Sequence, residues 1–180
     1  MQRISVVGSS GSGKTTLARA LAAAIGAAHI ELDGLFHGPD WTPTPDEEFR
    51  ARVGALARDE RWVIDGNYSA VRDLVWSAAD TVVWIDLPRR TILPGLLRRT
   101  LNRMRTGEEL WNGNRERFHK LFDPRPEENV LLWMWTTHRR RARQYSAAFA
   151  DPRWSHLELH RLRSRDEVAE FCERSTGRVG

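Results

Sequence analysis

Lysine is nearly missing from this chain of 180 residues: 28 residues are basic, and all but Lys14 and Lys120 are arginine. Such an excess makes any one arginine cluster less informative and makes each lysine more so. Cysteine occurs once, at Cys172, which excludes an internal disulfide and a cysteine-rich zinc site. On a helix, that thiol reads as a small buried apolar group. The six histidines show no metal-ligand spacing. No apolar run approaches the ~18 residues of a spanning helix, and the N-terminus carries no signal pattern, so a cytoplasmic protein is expected. Neither charge dominates, with a net charge of only +4.

What is present is a regular alternation of strand and helix signals over residues 1–180, read as one domain. Strands are expected at Ile4 to Val7, Ala28 to Leu32, within "RWVIDGNY" ending at Asp65, in "DTVVWIDLP", and in "WSHLELHRL". Helices are expected over Thr15 to Ile25, in "TPDEEFRARVGALARDE" with Thr44 as its cap, over Ser69 to Ser77, over Thr91 to Arg105, and over Glu128 to Phe149. A last helix, Ser164 to Ser175, has Ser164 and Glu167 as a capping box and Val168, Phe171 and Cys172 on its buried face. Pro94 requires a place in the first turn of its helix. The three prolines and two glycines of Gly34 to Pro45 predict a loop. The pattern implies an α/β fold with a five-stranded parallel sheet covered by helices on both faces. Ligands of such sheets lie beyond the carboxyl ends of the strands. Gly8 to Thr15, Asp33, Asp65 to Tyr68 and Asp86 should therefore share one rim.

The stretch "GSSGSGKTT" carries the most specific signal, G-x-x-x-x-G-K-[ST] between a strand and a helix. Gly8, Gly11 and Gly13 let the backbone turn its amides toward an anion. With Ser9, Ser10, Ser12 and Thr16 they form a phosphate cradle at a helix N-terminus. Lys14 is placed to reach the outer phosphates of ATP, and the Thr15 hydroxyl to ligate Mg²⁺. A guanine-nucleotide switch would need a lysine in N-K-x-D, and neither lysine sits in one.

The P-loop, "IELDGLFHGPDW", "WVIDGNY", "VVWIDLPRR", "RRTLNR", "ELWNGNRE" and "LLWMWTTHRRR" follow one another in an order that resembles the adenylate-kinase-like P-loop kinases. The similarity is greatest to bacterial members labelled DNA topology modulation proteins or adenylate-kinase-related kinases. It implies a nucleoside-monophosphate-kinase-like fold, an acceptor-binding segment at about 34–60, and a lid at about 106–128. Asp65 then matches the D-G aspartate that holds a magnesium-bound water. Asn67 and Tyr68 stand where nucleoside monophosphate kinases have an acceptor-gripping arginine. Asp33, at the end of the second strand, matches the carboxylate aimed at an acceptor hydroxyl, with Glu31 on the same face of that strand. Arg99, Arg103, Arg115, Arg139 and Arg140 stand where such kinases neutralise the transferring phosphoryl group. Members often carry an arginine near position 95, where this chain has Gly95.

Trp133 reads as core, whereas Trp41 and Trp111 lie in loops around the expected cleft, where they could close over a ligand. The reading is an ATP- and Mg²⁺-dependent phosphotransferase acting on a nucleoside monophosphate or a hydroxylated metabolite. Absence of the gripping arginine favours the metabolite, while Arg50 and Arg52 keep a nucleotide phosphate open. A second reading is a nucleotide-dependent DNA-binding or regulatory protein, motivated by the basic helical stretches "RRTLNRMR" and "HRRRARQ".

Overall fold

Five parallel strands in the order β2-β3-β1-β4-β5 form the centre of a computed structural model that describes residues 1–116, 121–126 and 129–177. They are β1 (Arg3–Gly8), β2 (Ala28–Glu31), β3 (Trp62–Asp65), β4 (Thr81–Ile85) and β5 (Glu158–Leu162). β1 runs between β3 and β4, with Val6 opposite both Asp65 and Val83. The central strands are buried on both faces, as parallel strands between helix layers must be. Ile4, Val6, Val63, Val83 and Ile85 meet α1 (Lys14–Ile25), α5 (Arg89–Thr106) and α7 (Arg165–Thr176) on one side. Val7, Trp62, Ile64, Val82 and Trp84 meet α3 (Asp46–Leu56), α4 (Arg72–Ala78) and the C-terminal half of α6 (Val130–Phe149) on the other.

The helices follow from their patterning. α1 buries Leu17, Ala18, Leu21 and Ala22 and stops at Gly26, whose φ of 61° suits a left-handed C-cap. α6 is capped by Asn129, whose side chain accepts from the amides of Leu131 and Leu132 at 3.1 and 3.2 Å; its expected first residue, Glu128, lies outside the described residues. At α7 the Ser164 hydroxyl accepts from the Glu167 amide at 3.1 Å, as the capping box requires. Phe171 is buried there, and Val168 and Cys172 are partly buried beside it.

Four expectations need correction. Residues read as strand end and loop form a short helix, α2 (Leu32–Phe36). Burial of Leu32, with Leu35 and Phe36 packed on the core, outweighs the helix-weakening Gly34. Glu31 and Asp33 therefore do not share a strand face, since one ends β2 and the other sits in the first turn of α2. Thr44 does not cap α3: Pro45 stands at the cap, and the Thr44 hydroxyl donates to the Leu35 carbonyl at 2.9 Å. α5 begins at Arg89, so Pro94 lies in its second turn and leaves the Arg90 carbonyl without its usual partner. Among the described residues no helix is long and apolar enough to cross a membrane.

Candidate functional site

The carboxyl ends of β1, β2 and β3 open onto one rim, and the glycine-rich turn leaves β1 at its centre. Gly11 and Gly13 have φ of 81° and 95°, a region that suits glycine. At Gly11 a side chain would also collide with α5, because an added Cβ would lie 2.8 Å from Leu96 Cβ. Gly8 is pinched as tightly, with Ser12 Oγ and the Ile85 carbonyl 2.7 and 2.9 Å from the place of its missing Cβ. No side chain caps the N-terminus of α1, and no acidic residue stands in its first turn. Its positive end and free amides are thus left to an incoming anion. Ser12 Oγ is buried without a protein partner. Together these features fit a nucleotide's phosphates.

Across the rim, Asp33 of α2 accepts a hydrogen bond from the Tyr68 hydroxyl at 2.7 Å. Burial and the adjacent Asp33 carboxylate hold the phenol of Tyr68 far above its ordinary pKa, so it stays protonated and donates. His37 Nε2 lies 3.4 Å from the same hydroxyl, and burial pushes that imidazole down, against an opposing pull from Asp33. Asp65 is buried, and its Oδ2 lies 2.9 Å from Nε2 of His29 on the neighbouring strand. Glu31 takes Arg19 at 2.6 Å and the Trp111 indole N–H at 3.1 Å.

The arginines divide. Arg99 is exposed and Arg141 half-buried; desolvation lowers the pKa of both guanidinium groups, opposed by Glu116 and Asp33 at Arg99 and by Tyr145 and Asp33 at Arg141. Arg141 lies over the Trp133 ring, 5.5 Å from its centroid. Arg103 reaches Glu108 at 3.4 Å and Glu116 at 3.3 Å, and Arg115 reaches Glu109 at 3.5 Å on the surface. Arg139 and Arg140 are exposed. Arg139 faces an open recess of about 360 Å³ between the end of β4 and α6. Within one arginine run, α6 therefore leaves Arg139 and Arg140 exposed and half-buries Arg141, within the field of Tyr145 and Asp33, a residue that spacing alone does not single out. Arg50 and Arg52 are spent on Asp73 and Glu48, at 2.7 and 2.5 Å. Over Gly95, the space for a side chain faces Arg165, whose Nη2 donates to the Thr91 carbonyl at 3.3 Å.

The described part of the segment expected to be a lid lies against the segment expected to bind the acceptor. Trp111 covers Gly34 so closely that an added Cβ there would lie 2.8 Å from the indole. Asn112 donates to the carbonyls of Gly34 and His37 at 3.2 and 2.5 Å. Asn114 donates to the Gly38 carbonyl at 2.8 Å and accepts from the Trp41 amide at 2.9 Å. Trp41 and Trp111 flank His37, with ring centroids 5.3 and 6.4 Å away. Lid residues 117–120, 127 and 128 lie outside the described residues.

Solved structures with this architecture align along nearly the whole chain. A gluconokinase from Sinorhizobium meliloti covers 98% of this chain and 90% of its own at 20% identity, with a TM-score of 0.52. A shikimate kinase from Bacteroides thetaiotaomicron covers 96% and 95% at 16% identity, with a TM-score of 0.53. The fold is that of the small P-loop kinases. A shikimate kinase from Acinetobacter baumannii, in complex with shikimate, covers 100% and 96% at 15% identity, also with a TM-score of 0.53. No family profile and no curated protein sequence matches the chain.

Proposed function

We propose that this chain is an ATP- and Mg²⁺-dependent phosphotransferase whose acceptor is a small hydroxylated molecule that also carries an anionic group. One juxtaposition carries the reading. The Asp33 carboxylate lies on the rim of the phosphate cradle, with Arg99 and Arg141 within its electrostatic reach. Asp33 accepts the acceptor's hydroxyl proton as that oxygen bonds to the γ-phosphorus, while the bond from that phosphorus to the β–γ bridging oxygen breaks and ADP departs. Lys14 and Arg99 offset the charge on the transferring group. Arg141, on the Tyr68 side of the cleft, holds the acceptor's anionic group. Arg103 and Arg115 serve from the lid after leaving their glutamate partners.

When bound, magnesium would supply charge neutralisation on the nucleotide's phosphates. Thr15 would be its ligand from this chain, and Asp65, 2.9 Å from His29, would hold a water beside it. The gluconokinase and shikimate kinases of like fold are named for hydroxylated acids, which agrees with an acceptor of this class. A nucleoside monophosphate is the weaker candidate, because Arg50 and Arg52 are committed elsewhere and Tyr68 is turned to Asp33.

The test is phosphoryl transfer from MgATP across a panel of sugar acids, hydroxy acids, sugars and nucleoside monophosphates. Asp33→Asn should keep nucleotide affinity and lose about 10²-fold or more in transfer. Equal loss of both would remove Asp33 from the acceptor side. Duplex DNA affinity that falls steeply with salt and survives excess ATP, with no transfer to any acceptor, would favour a DNA-binding protein instead.

A further inference from the structure

We infer that the adjacent residues Asn67 and Tyr68 keep the two halves of the site in register: Asn67 clamps the entrance of the phosphate cradle, and Tyr68 aims the Asp33 carboxylate. The inference rests on the phosphotransferase reading for Tyr68, and for Asn67 only on nucleotide binding.

The backbone dictates the need for a clamp. β3 pairs with β1 as far as Val6 opposite Asp65, and the Gly66 amide still donates to the Val6 carbonyl at 3.2 Å. The chain then turns away at Gly66, where φ is 147° and an added Cβ would lie 2.7 Å from Leu32 Cβ. Gly8 is thereby left without a main-chain neighbour on the β3 side. The Asn67 carboxamide takes that place. Its Oδ1 accepts from the Gly8 amide at 3.0 Å, and its Nδ2 donates to the Gly8 carbonyl. One side chain thus extends the ladder by a residue, at the glycine that opens the cradle. On its other flank Gly8 has no room for a side chain against Ser12 and Ile85. The carboxamide is itself oriented from α6, since the Tyr145 hydroxyl donates to Asn67 Oδ1 at 3.0 Å.

Tyr68 does the corresponding work one residue later. Its ring lies against Phe36 and Phe49, with centroids 4.6 and 5.2 Å away. From that seat the hydroxyl donates to Asp33 Oδ1 at 2.7 Å and leaves Oδ2 for an acceptor. Both are positioning residues: Asn67 acts through the backbone of Gly8, Tyr68 through Asp33. Because they are neighbours, the span between cradle and carboxylate is set by a single peptide unit.

The experiment needs no identified acceptor. MgADP binding is measured by calorimetry, and basal MgATP hydrolysis is followed with water in the acceptor's place. Asn67→Ala should weaken MgADP by about tenfold, the scale of losing the hydrogen bonds that orient the cradle. Tyr68→Phe, which keeps the ring, should leave MgADP affinity and the KM for ATP unchanged. It should lower kcat for hydrolysis by about tenfold, with no further loss when combined with Asp33→Asn. Should Asn67→Ala fail to fold, Tyr145→Phe removes only the hydroxyl that orients the carboxamide and should weaken MgADP by a smaller factor. Wild-type MgADP affinity in the folded Asn67 variant, or in Tyr145→Phe where that variant does not fold, overturns the clamp. Unchanged kcat in Tyr68→Phe, or a loss of MgADP affinity matching that of Asn67→Ala, overturns the aiming role. A wild-type protein that neither hydrolyses nor transfers the γ-phosphoryl group refutes the phosphotransferase reading and the Tyr68 role with it, while MgADP affinity still decides Asn67.

Discussion

At the scale of single residues, the division of arginines matters more than their number. Arg141 lies over the Trp133 ring and feels Tyr145 and Asp33, whereas Arg103 and Arg115 are already paired with glutamates. Arg141→Met should therefore raise the acceptor's KM by about tenfold or more while the KM for ATP stays constant, in steady-state assays varying each substrate in turn. Lys14→Ala should lower turnover by about 10²–10³-fold, as expected for removing a charge-stabilising donor. Its unfolding midpoint in urea should match the wild type, because Lys14 has no ion-pair partner among the described residues. Lys14 was open to proposal from the sequence because one lysine inside one motif is nearly unambiguous. Arg141 was not, since in a run of arginines only the helix phase decides which one faces inward. The contact of Asn67 with Gly8 was hidden for another reason: the two lie 59 residues apart, and nothing in the local pattern marks it.

At the scale of elements, the sheet and most helices followed from periodicity and caps, while the segment after β2 did not. Gly34 and three prolines argue locally for a loop, but α2 forms because Leu32 has a buried seat beside Gly66. The contacts that bring residues 112–114 against residues 34–38 are asparagine side chains reaching main-chain carbonyls, and their sequence separation is 75 residues or more. Asn114→Ala should remove the bonds to Gly38 and Trp41 and cost about 1 kcal/mol, read as a lower urea midpoint, because half-buried backbone groups lose their partner. His37, between Trp41 and Trp111, gives this region a pH dependence. Burial keeps its native pKa below the ordinary 6.5, so the unfolded chain takes up the proton more readily. Its contribution to stability is complete above pH 6.5 and is lost as pH falls through the depressed native value. Unfolding free energy should decline with acid from about pH 6.5 downward, and His37→Gln should make that decline shallower.

At the scale of the whole molecule, the two hydrophobic layers are unequal in kind. The α1 side is aliphatic apart from Phe171 and Met134, whereas the α4 and α6 side is built on Trp62, Trp76, Trp84 and Trp154 with Tyr145. The hydroxyl of Tyr145 reaches Asn67, which in turn bonds Gly8, so a hydrogen-bonded chain joins the aromatic layer to the cradle. A ligand in the cradle should consequently stabilise the entire fold rather than a loop. At a concentration of 100 times its Kd, MgADP should add about 2.7 kcal/mol, seen as a rise of a few degrees in Tm by calorimetry.

The central position of β1 has a further consequence, for the way the chain acquires its structure. β1 is the first strand made, yet both strands that flank it come later, at Trp62–Asp65 and Thr81–Ile85. Its pairing closes long loops, which is entropically slow compared with local helix formation. The N-terminal motif therefore exists as a sequence long before it exists as a shape. Nucleotide capture during refolding should lag the appearance of helical signal, and it would report the moment at which the middle of the sheet closes.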